Sequence, residues 1–156
     1  VSPFPGTKME SKYTNPAGLE STIARFDGLG EDGRVEFILS HVGTADARAT
    51  TAALELAASY DNVWLELSAL GQDMIFDIDG RESTVSGPQH PWIVEDIRDL
   101  GLVDRSIFAT DGPQQSGKVR TYLSAIISSM QDAGFSVQEM ERVLSGSFYE
   151  CFGVSD

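Results

Sequence analysis

The sequence has few cysteines and few basic residues. Cys151 is the single cysteine among 156 residues, so no disulfide can form within the chain, and a disulfide-stabilised scaffold is excluded. Such cysteine usage is typical of a reducing compartment, and we expect a cytoplasmic protein.

Basic side chains are outnumbered by acidic ones. Lys and Arg total 11 against 24 Asp and Glu, which gives a formal net charge of -13 at pH 7. A surface of this sign repels phosphate backbones and anionic lipid headgroups, so we expect neither nucleic acid nor a membrane among the partners. No apolar run approaches the roughly 20 residues that span a bilayer. Val1–Lys12 also lacks the basic and apolar regions of a signal peptide.

The order of periodic segments predicts an α/β fold. Three apolar runs rich in strand formers predict strands at Val35–His41, Val63–Ser68 and Ser106–Asp111. Helices are expected at Asn15–Phe26 with Asn15 as N-cap, at Ala45–Tyr60, at Pro91–Leu100, from Val119, and from Ser136, whose spacing to Glu139 predicts a capping box. Ala69–Gln89 is expected to be a long irregular loop.

Consecutive strand–helix–strand units require a parallel sheet, since each crossover helix returns the chain to the same sheet edge. Three strands are too few to complete a sheet of this class. We therefore expect residues 1–156 to form one incomplete domain, the C-terminal part of a larger α/β fold.

Two motifs resemble the residue patterns of ligand-binding sites but lack other features that those sites need. Gly28–Gly33 has the glycine spacing of a dinucleotide fingerprint, but the predicted helix precedes it and the predicted strand follows it, the reverse of what that motif needs. Asp73–Gly80 resembles a calcium loop, yet its first and twelfth ligand positions fall on Ile75 and Ser86. Both segments are interpreted as polar turns or loops.

A third motif, Gly112–Lys118 (GPQQSGK), matches the phosphate-loop pattern between a predicted strand and a predicted helix. Val119 stands where the pattern needs Ser or Thr for magnesium, and Pro113 removes a backbone donor. An ordinary strand-to-helix loop is the favoured interpretation. A nucleotide-binding loop is an alternative, in which nucleotide would raise thermal stability through Lys118.

The remaining candidates are defined by position. His41, Ser68 and Asp111 end the three predicted strands, and the carboxyl edge of a parallel sheet is where catalytic groups and ligands collect. Imidazole and carboxylate side chains can ligate a zinc-like ion or share acid and base work. His90 precedes Pro91 at a helix start and is expected to be a cap or a lid residue facing the same edge.

Several segments resemble one known family in order and spacing. Phe37–Gly43 (FILSHVG), Asn62–Ala69 (NVWLELSA) and Ile107–Pro113 (IFATDGP) resemble strands six, seven and eight of the amidohydrolase-related metal-dependent hydrolases, a TIM-barrel family. Asn15–Glu20 and Phe148–Gly153 are similar to the segments that flank those strands in the family. The resemblance implies the C-terminal part, about strands six to eight, of a (β/α)8 barrel.

The resemblance also implies roles for individual residues. His41 would be the strand-six histidine that contacts substrate, the metal or its water, and Asp111 the strand-eight aspartate that ligates a divalent metal, zinc by expectation, or takes the proton of the water. Ser68 and His90 are the expected substrate contacts. The family's other histidine ligands would lie upstream of Val1, so we expect activity only together with the upstream half of the barrel, on the same or a separate chain.

Within the family, the expected activity is hydrolysis of an amide or a lactone in a small-molecule substrate. Non-oxidative decarboxylation of an aromatic or unsaturated acid remains an alternative, because the family contains both chemistries. A non-catalytic half-barrel that serves as a binding or assembly module is a further alternative, and a homo-oligomer is a possible assembly.

Overall fold

Parallel strands alternate with helices along the chain, as the sequence predicts. The structure, a computed structural model, describes residues 15–29, 33–43, 47–71, 74–78, 81–85, 87–111 and 116–154. The strands are β1 (Phe37–Ser40), β2 (Val63–Glu66), β3 (Met74–Ile78), β4 (Arg81–Val85) and β5 (Ser106–Ile107). The helices are α1 (Glu20–Asp27), α2 (Ala47–Ser59), α3 (His90–Asp99), α4 (Lys118–Asp132), α5 (Val137–Glu141) and α6 (Ser147–Cys151).

Short helical turns join some of these elements. Turns of 3-10 helix span Pro16–Leu19, His41–Gly43 and Val103–Arg105, and a π-helical turn spans Arg142–Gly146 between α5 and α6. Among the described residues, no helix combines the length and apolar character that crossing a membrane requires.

Three strands form a parallel sheet in the order β1-β2-β5. Ser40 pairs with Glu66, and Glu66 pairs in turn with Ile107, so the carboxyl ends of the strands lie at one edge. The crossovers through α2 and α3 make this sheet parallel, which confirms the predicted α/β class.

The central strand β2 is buried on both faces, as expected for a parallel strand between helices. Val63 and Leu65 are fully buried on one face, and Trp64 is buried on the other. The Trp64 indole N–H donates to Glu36 Oε2 at 2.6 Å, which satisfies the polar atom of this large side chain.

Buried apolar side chains of β2, α2, α3 and α4 pack into one continuous core. Its helical members include Ala53, Leu56, Ile93, Ile97, Ile126 and Met130. Full burial of one such Leu or Ile side chain contributes about 1.5–3 kcal/mol. This core fixes the helices behind the sheet and thereby positions the carboxyl edge of the strands.

The predicted loop over Ala69–Gln89 is wrong in part, because β3 and β4 form an antiparallel hairpin within it. Ile78 pairs with Arg81, and the intervening sequence is Asp79-Gly80, a dipeptide strongly favoured in two-residue hairpin turns. Phe76-Asp77-Ile78 supplies the alternation of a strand. The acidic character of the segment obscured this pattern.

The third parallel strand is shorter than predicted, since β5 ends at Ile107 rather than Asp111. The Phe108 N–H donates to Val143 O in the π-helical turn at 2.9 Å, so the chain leaves the sheet at this residue. The carbonyl of Ile107 still accepts from the Leu67 N–H at 2.8 Å. The acceptor for Phe108 comes from a distant segment that the local pattern does not reveal.

Both predicted N-caps are confirmed. Asn15 Oδ1 accepts from the Ala17 N–H at 3.0 Å at the start of the first helical segment. At α5, Ser136 Oγ accepts from the Glu139 N–H, and the Glu139 carboxylate accepts from the Ser136 N–H. These reciprocal bonds satisfy two donors that a helix start leaves unpaired.

Replacing Ser136 by Ala should lower the free energy of unfolding by about 1 kcal/mol, because the Glu139 N–H loses its acceptor. Urea denaturation measures the change. Ser124→Ala, at an exposed position within α4, is the matched control and should leave stability nearly unchanged. Equal effects of the two substitutions would contradict the capping role.

Candidate functional site

Strained backbone marks the carboxyl edge of the sheet. In the described part of the chain, the non-glycine residues with positive φ are His41 (62°), Val42 (45°), Ala69 (58°) and Asp111 (54°). All four follow a parallel strand. Left-handed backbone at such residues costs free energy and is concentrated at functional sites. This edge is therefore a candidate functional site.

His41, Ser68 and Glu66 form one hydrogen-bonded cluster, which we call the His41 cluster. His41 Nδ1 lies 2.7 Å from Ser68 Oγ. Ser68 Oγ donates to Glu66 Oε2 at 2.9 Å, and the same carboxylate oxygen accepts from the His41 backbone N–H at 2.9 Å. The parallel pairing of Ser40 with Glu66 brings these groups together across two strands.

The His41 cluster combines an accessible ring with buried supports. The His41 side chain is 34% exposed, whereas that of Glu66 is 14% exposed and Ser68 is 1% exposed. The imidazole is therefore the group that can meet a ligand. The structure shows a hydrogen bond between Ser68 and His41. Contact of Ser68 with substrate stays a prediction.

Glu66 was missed by sequence reasoning, although a signal exists. Alternate residues of an extended strand point to the same side, so Glu66 and Ser68 share one face at the end of β2. A carboxylate two residues before a candidate serine, beside a strand-end histidine on the neighbouring strand, would have predicted this cluster.

Asp111 lies in the segment that follows β5, four residues after the strand ends at Ile107. In the strand order β1-β2-β5, β5 is separated from β1 by two strand spacings, about 10 Å between strand axes. The Asp111 side chain is exposed. Among the described residues, no group of three or more His, Cys, Asp or Glu is arranged to hold a metal ion.

His90 lies in the first turn of α3, and the cap position belongs to Gln89, so the expectation that His90 caps this helix is wrong. Its side chain is buried, and Nδ1 lies 2.7 Å from Ser129 Oγ of α4. Burial lowers the pKa of His90. The structure does not connect His90 to the His41 cluster by any hydrogen bond that it describes.

Tyr122 connects α4 to the segment that follows β2. Its hydroxyl donates to Leu67 O at 2.6 Å and accepts from the Leu70 N–H at 3.2 Å. Burial raises the pKa of this phenol, which keeps it neutral and able to donate. The two bonds bracket Ser68 and the left-handed Ala69, so Tyr122 holds the backbone that carries Ser68.

A cavity of about 470 Å³ lies between α3 and α4, and its walls include His90, Lys118, Thr121 and Tyr122. Lys118 is the last residue of the phosphate-loop-like motif, of which residues 112–115 lie outside the described part of the chain. Residues 30–32 of the glycine motif and residues 73, 79 and 80 of the calcium-like motif lie outside it as well.

The single cysteine does not contribute a nucleophile. Cys151 is half-buried in α6, and burial, together with Glu36 and Glu150, raises the pKa of its thiol to about 11. The thiol is therefore protonated at neutral pH and poorly nucleophilic.

Comparison with known proteins gives two matches. A family model described as amidohydrolase matches residues 2–147. The crystal structure of an amidohydrolase from Burkholderia multivorans with bound zinc is similar in fold, with a TM-score of 0.59 and 16% sequence identity over 91% of this chain and 50% of that chain. The chain thus spans half the length of that relative. No curated protein matches.

His90 should make stability depend on pH. Its folded pKa lies below the unfolded value, so as pH falls from about 6.5 the unfolded chain takes up a proton that the folded chain resists. The free energy of unfolding therefore decreases through this window, and the full contribution of His90 is present above it.

In the variant His90→Gln, the loss of stability between about pH 7.5 and about pH 5 should be smaller than in the unmodified chain. Urea denaturation at both pH values measures the two losses, and the carboxylates common to both chains cancel in the comparison. Equal losses would show that His90 is not the group responsible.

Proposed function

Because the chain belongs to the amidohydrolase family, we propose that it forms strands six to eight of a TIM barrel whose complete form is a metal-dependent hydrolase of amide or lactone bonds. The observation that carries this proposal is the His41 cluster at the carboxyl edge of the sheet, with Asp111 in the segment that follows β5. The coverage of 50% of the zinc-containing relative supports a partial barrel.

The candidate side chains include a type that binds divalent metal ions. Carboxylate oxygen is a zinc ligand, and Asp111, in the segment that follows β5, would supply one, while His41 would serve in proton transfer. Zinc sites have at least three protein ligands as a rule, so Asp111 would form only part of the site. The remaining ligands would come from the upstream half.

Asp111 would hold the metal, which when bound polarises a substrate carbonyl and activates water for attack. The His41 ring, at the carboxyl edge of the sheet, would accept a proton and return it. Ser68 and Glu66 hold the ring in place. His90, on the wall of the neighbouring cavity, would contact the body of the substrate.

The upstream half of the barrel is the partner that this proposal requires. Among the described strands, β1 and β5 each pair only with β2, so each presents one outer edge of backbone donors and acceptors. A closed barrel would pair both edges and remove the aggregation hazard of an open sheet.

The proposal predicts different defects for substitutions of Asp111 and of His41. In the complete protein that contains this chain, Asp111→Asn should lose zinc and turnover together. His41→Gln should keep zinc and lower kcat about 10²–10⁴-fold, the typical contribution of a general acid or base. Metal analysis and turnover of a panel of lactones and aryl amides measure both.

Asp132→Asn, an exposed position at the end of α4, is the matched control and should change neither quantity. Release of carbon dioxide from aromatic acids, without hydrolysis, would favour the decarboxylase. A stable complex without zinc or turnover would favour a binding module, and unchanged activity in both variants would refute the site.

A further inference from the structure

We propose that Glu66, acting through Ser68, holds neutral His41 with its proton on Nδ1, so that Nε2 is the unprotonated nitrogen. This inference deepens the proposed function, on which the catalytic meaning of the tautomer rests. The tautomer itself follows from the contacts within the His41 cluster.

The assignment comes from counting hydrogens in the His41 cluster. A carboxylate only accepts hydrogen bonds, so at the 2.9 Å contact between Ser68 Oγ and Glu66 Oε2 the serine must donate. A serine hydroxyl has one hydrogen. At its 2.7 Å contact with His41 Nδ1, Ser68 must therefore accept, and Nδ1 must carry the proton.

Glu66 also fixes the backbone of the residue whose ring it orients. Its Oε2 atom accepts from the His41 N–H at 2.9 Å, while His41 has a φ of 62°. The carboxylate is largely buried, so water competes poorly for these bonds. One oxygen atom thus holds the strained backbone and, through Ser68, the ring.

The tautomer decides which nitrogen can do chemistry. With the proton on Nδ1, the lone pair of neutral His41 lies on Nε2, where it can take a proton from water or substrate. The Nδ1–H to Ser68 Oγ bond is the same in the neutral and the protonated ring. Proton transfer at Nε2 therefore needs no rotation of the imidazole, and Glu66 and Ser68 act as positioning residues.

The second histidine of the chain provides an internal control for the His41 cluster. His90 is the other of the two histidines of the chain, and its Nδ1 lies at the same 2.7 Å distance from a serine hydroxyl, that of Ser129. This pair lies between α3 and α4, and no hydrogen bond that the structure describes joins it to Glu66. Substitutions in the His41 cluster should therefore leave the His90 signals unchanged, which also reports that the fold is intact.

The test is nitrogen-15 NMR of the labelled chain at about pH 8, above the ordinary pKa of histidine. Long-range proton–nitrogen spectra distinguish a protonated ring nitrogen from an unprotonated one, and His41→Gln assigns the signals by their loss. We expect His41 to show a protonated Nδ1 and an unprotonated Nε2. A protonated Nε2 in the unmodified chain overturns the proposal.

Variants separate the positioning role from a structural one. In Glu66→Ala the Ser68 hydroxyl is free to donate to Nδ1, so the proton should move to Nε2. In Glu66→Gln the amide oxygen can still accept both bonds, and the Nδ1–H form should persist. An Nδ1–H form that persists in Glu66→Ala, with His90 unchanged, refutes the role of Glu66.

If Glu66→Ala does not fold, Ser68→Ala replaces it, because Nδ1 then loses the serine acceptor and keeps only the Glu66 carboxylate at 3.8 Å, so the Nδ1–H form should be less populated than in the unmodified chain. Zinc content and turnover of the complete protein are separate measurements. An Nδ1–H tautomer in a complete protein without turnover would refute the proposed function and leave this inference intact. Turnover with an Nε2–H tautomer would refute this inference and leave the proposed function intact.

Discussion

The parallel pairing of β1, β2 and β5 determines where each candidate side chain lies. Glu66 pairs with Ser40 on one side and with Ile107 on the other, so the end of β2 lies between the ends of both neighbours. A slip of one residue would turn Glu66 to the opposite face and break its bonds to His41 and Ser68. The buried faces of β2 exclude such a slip, since it would exchange Trp64 with its neighbours in a packed core.

The strain at the strand ends is supported by specific hydrogen bonds. His41 takes a left-handed backbone, and Glu66 accepts its N–H. Ala69 does the same after β2, and the Tyr122 hydroxyl bonds to Leu67 and Leu70 on either side of it. The strained backbone at His41 and at Ala69 is therefore held by a side chain from another strand or helix, so the geometry there depends on the sheet and on α4.

Local signals were sufficient for some features and insufficient for others. The caps at Asn15 and Ser136 were predictable because their partners lie within three residues. The early end of β5 was not, because Phe108 pairs with Val143, whose position depends on how the last helices pack. The place of His41 at a strand end was predictable from the local pattern, whereas Asp111 lies four residues beyond the end of β5 and the bonds of Glu66 needed the register between two strands.

The two parts of the proposed chemistry, metal binding and proton transfer, depend on different residues. Among the described residues no group of three or more ligating side chains is arranged for a metal ion, so under the proposed function metal affinity would depend on residues outside them. The proton-handling geometry does not, because His41, Ser68 and Glu66 all lie within two adjacent strands and the residues that follow them. The ring of His41 is therefore held by bonds within this chain, which under the proposed function would remove the cost of orienting it during the reaction.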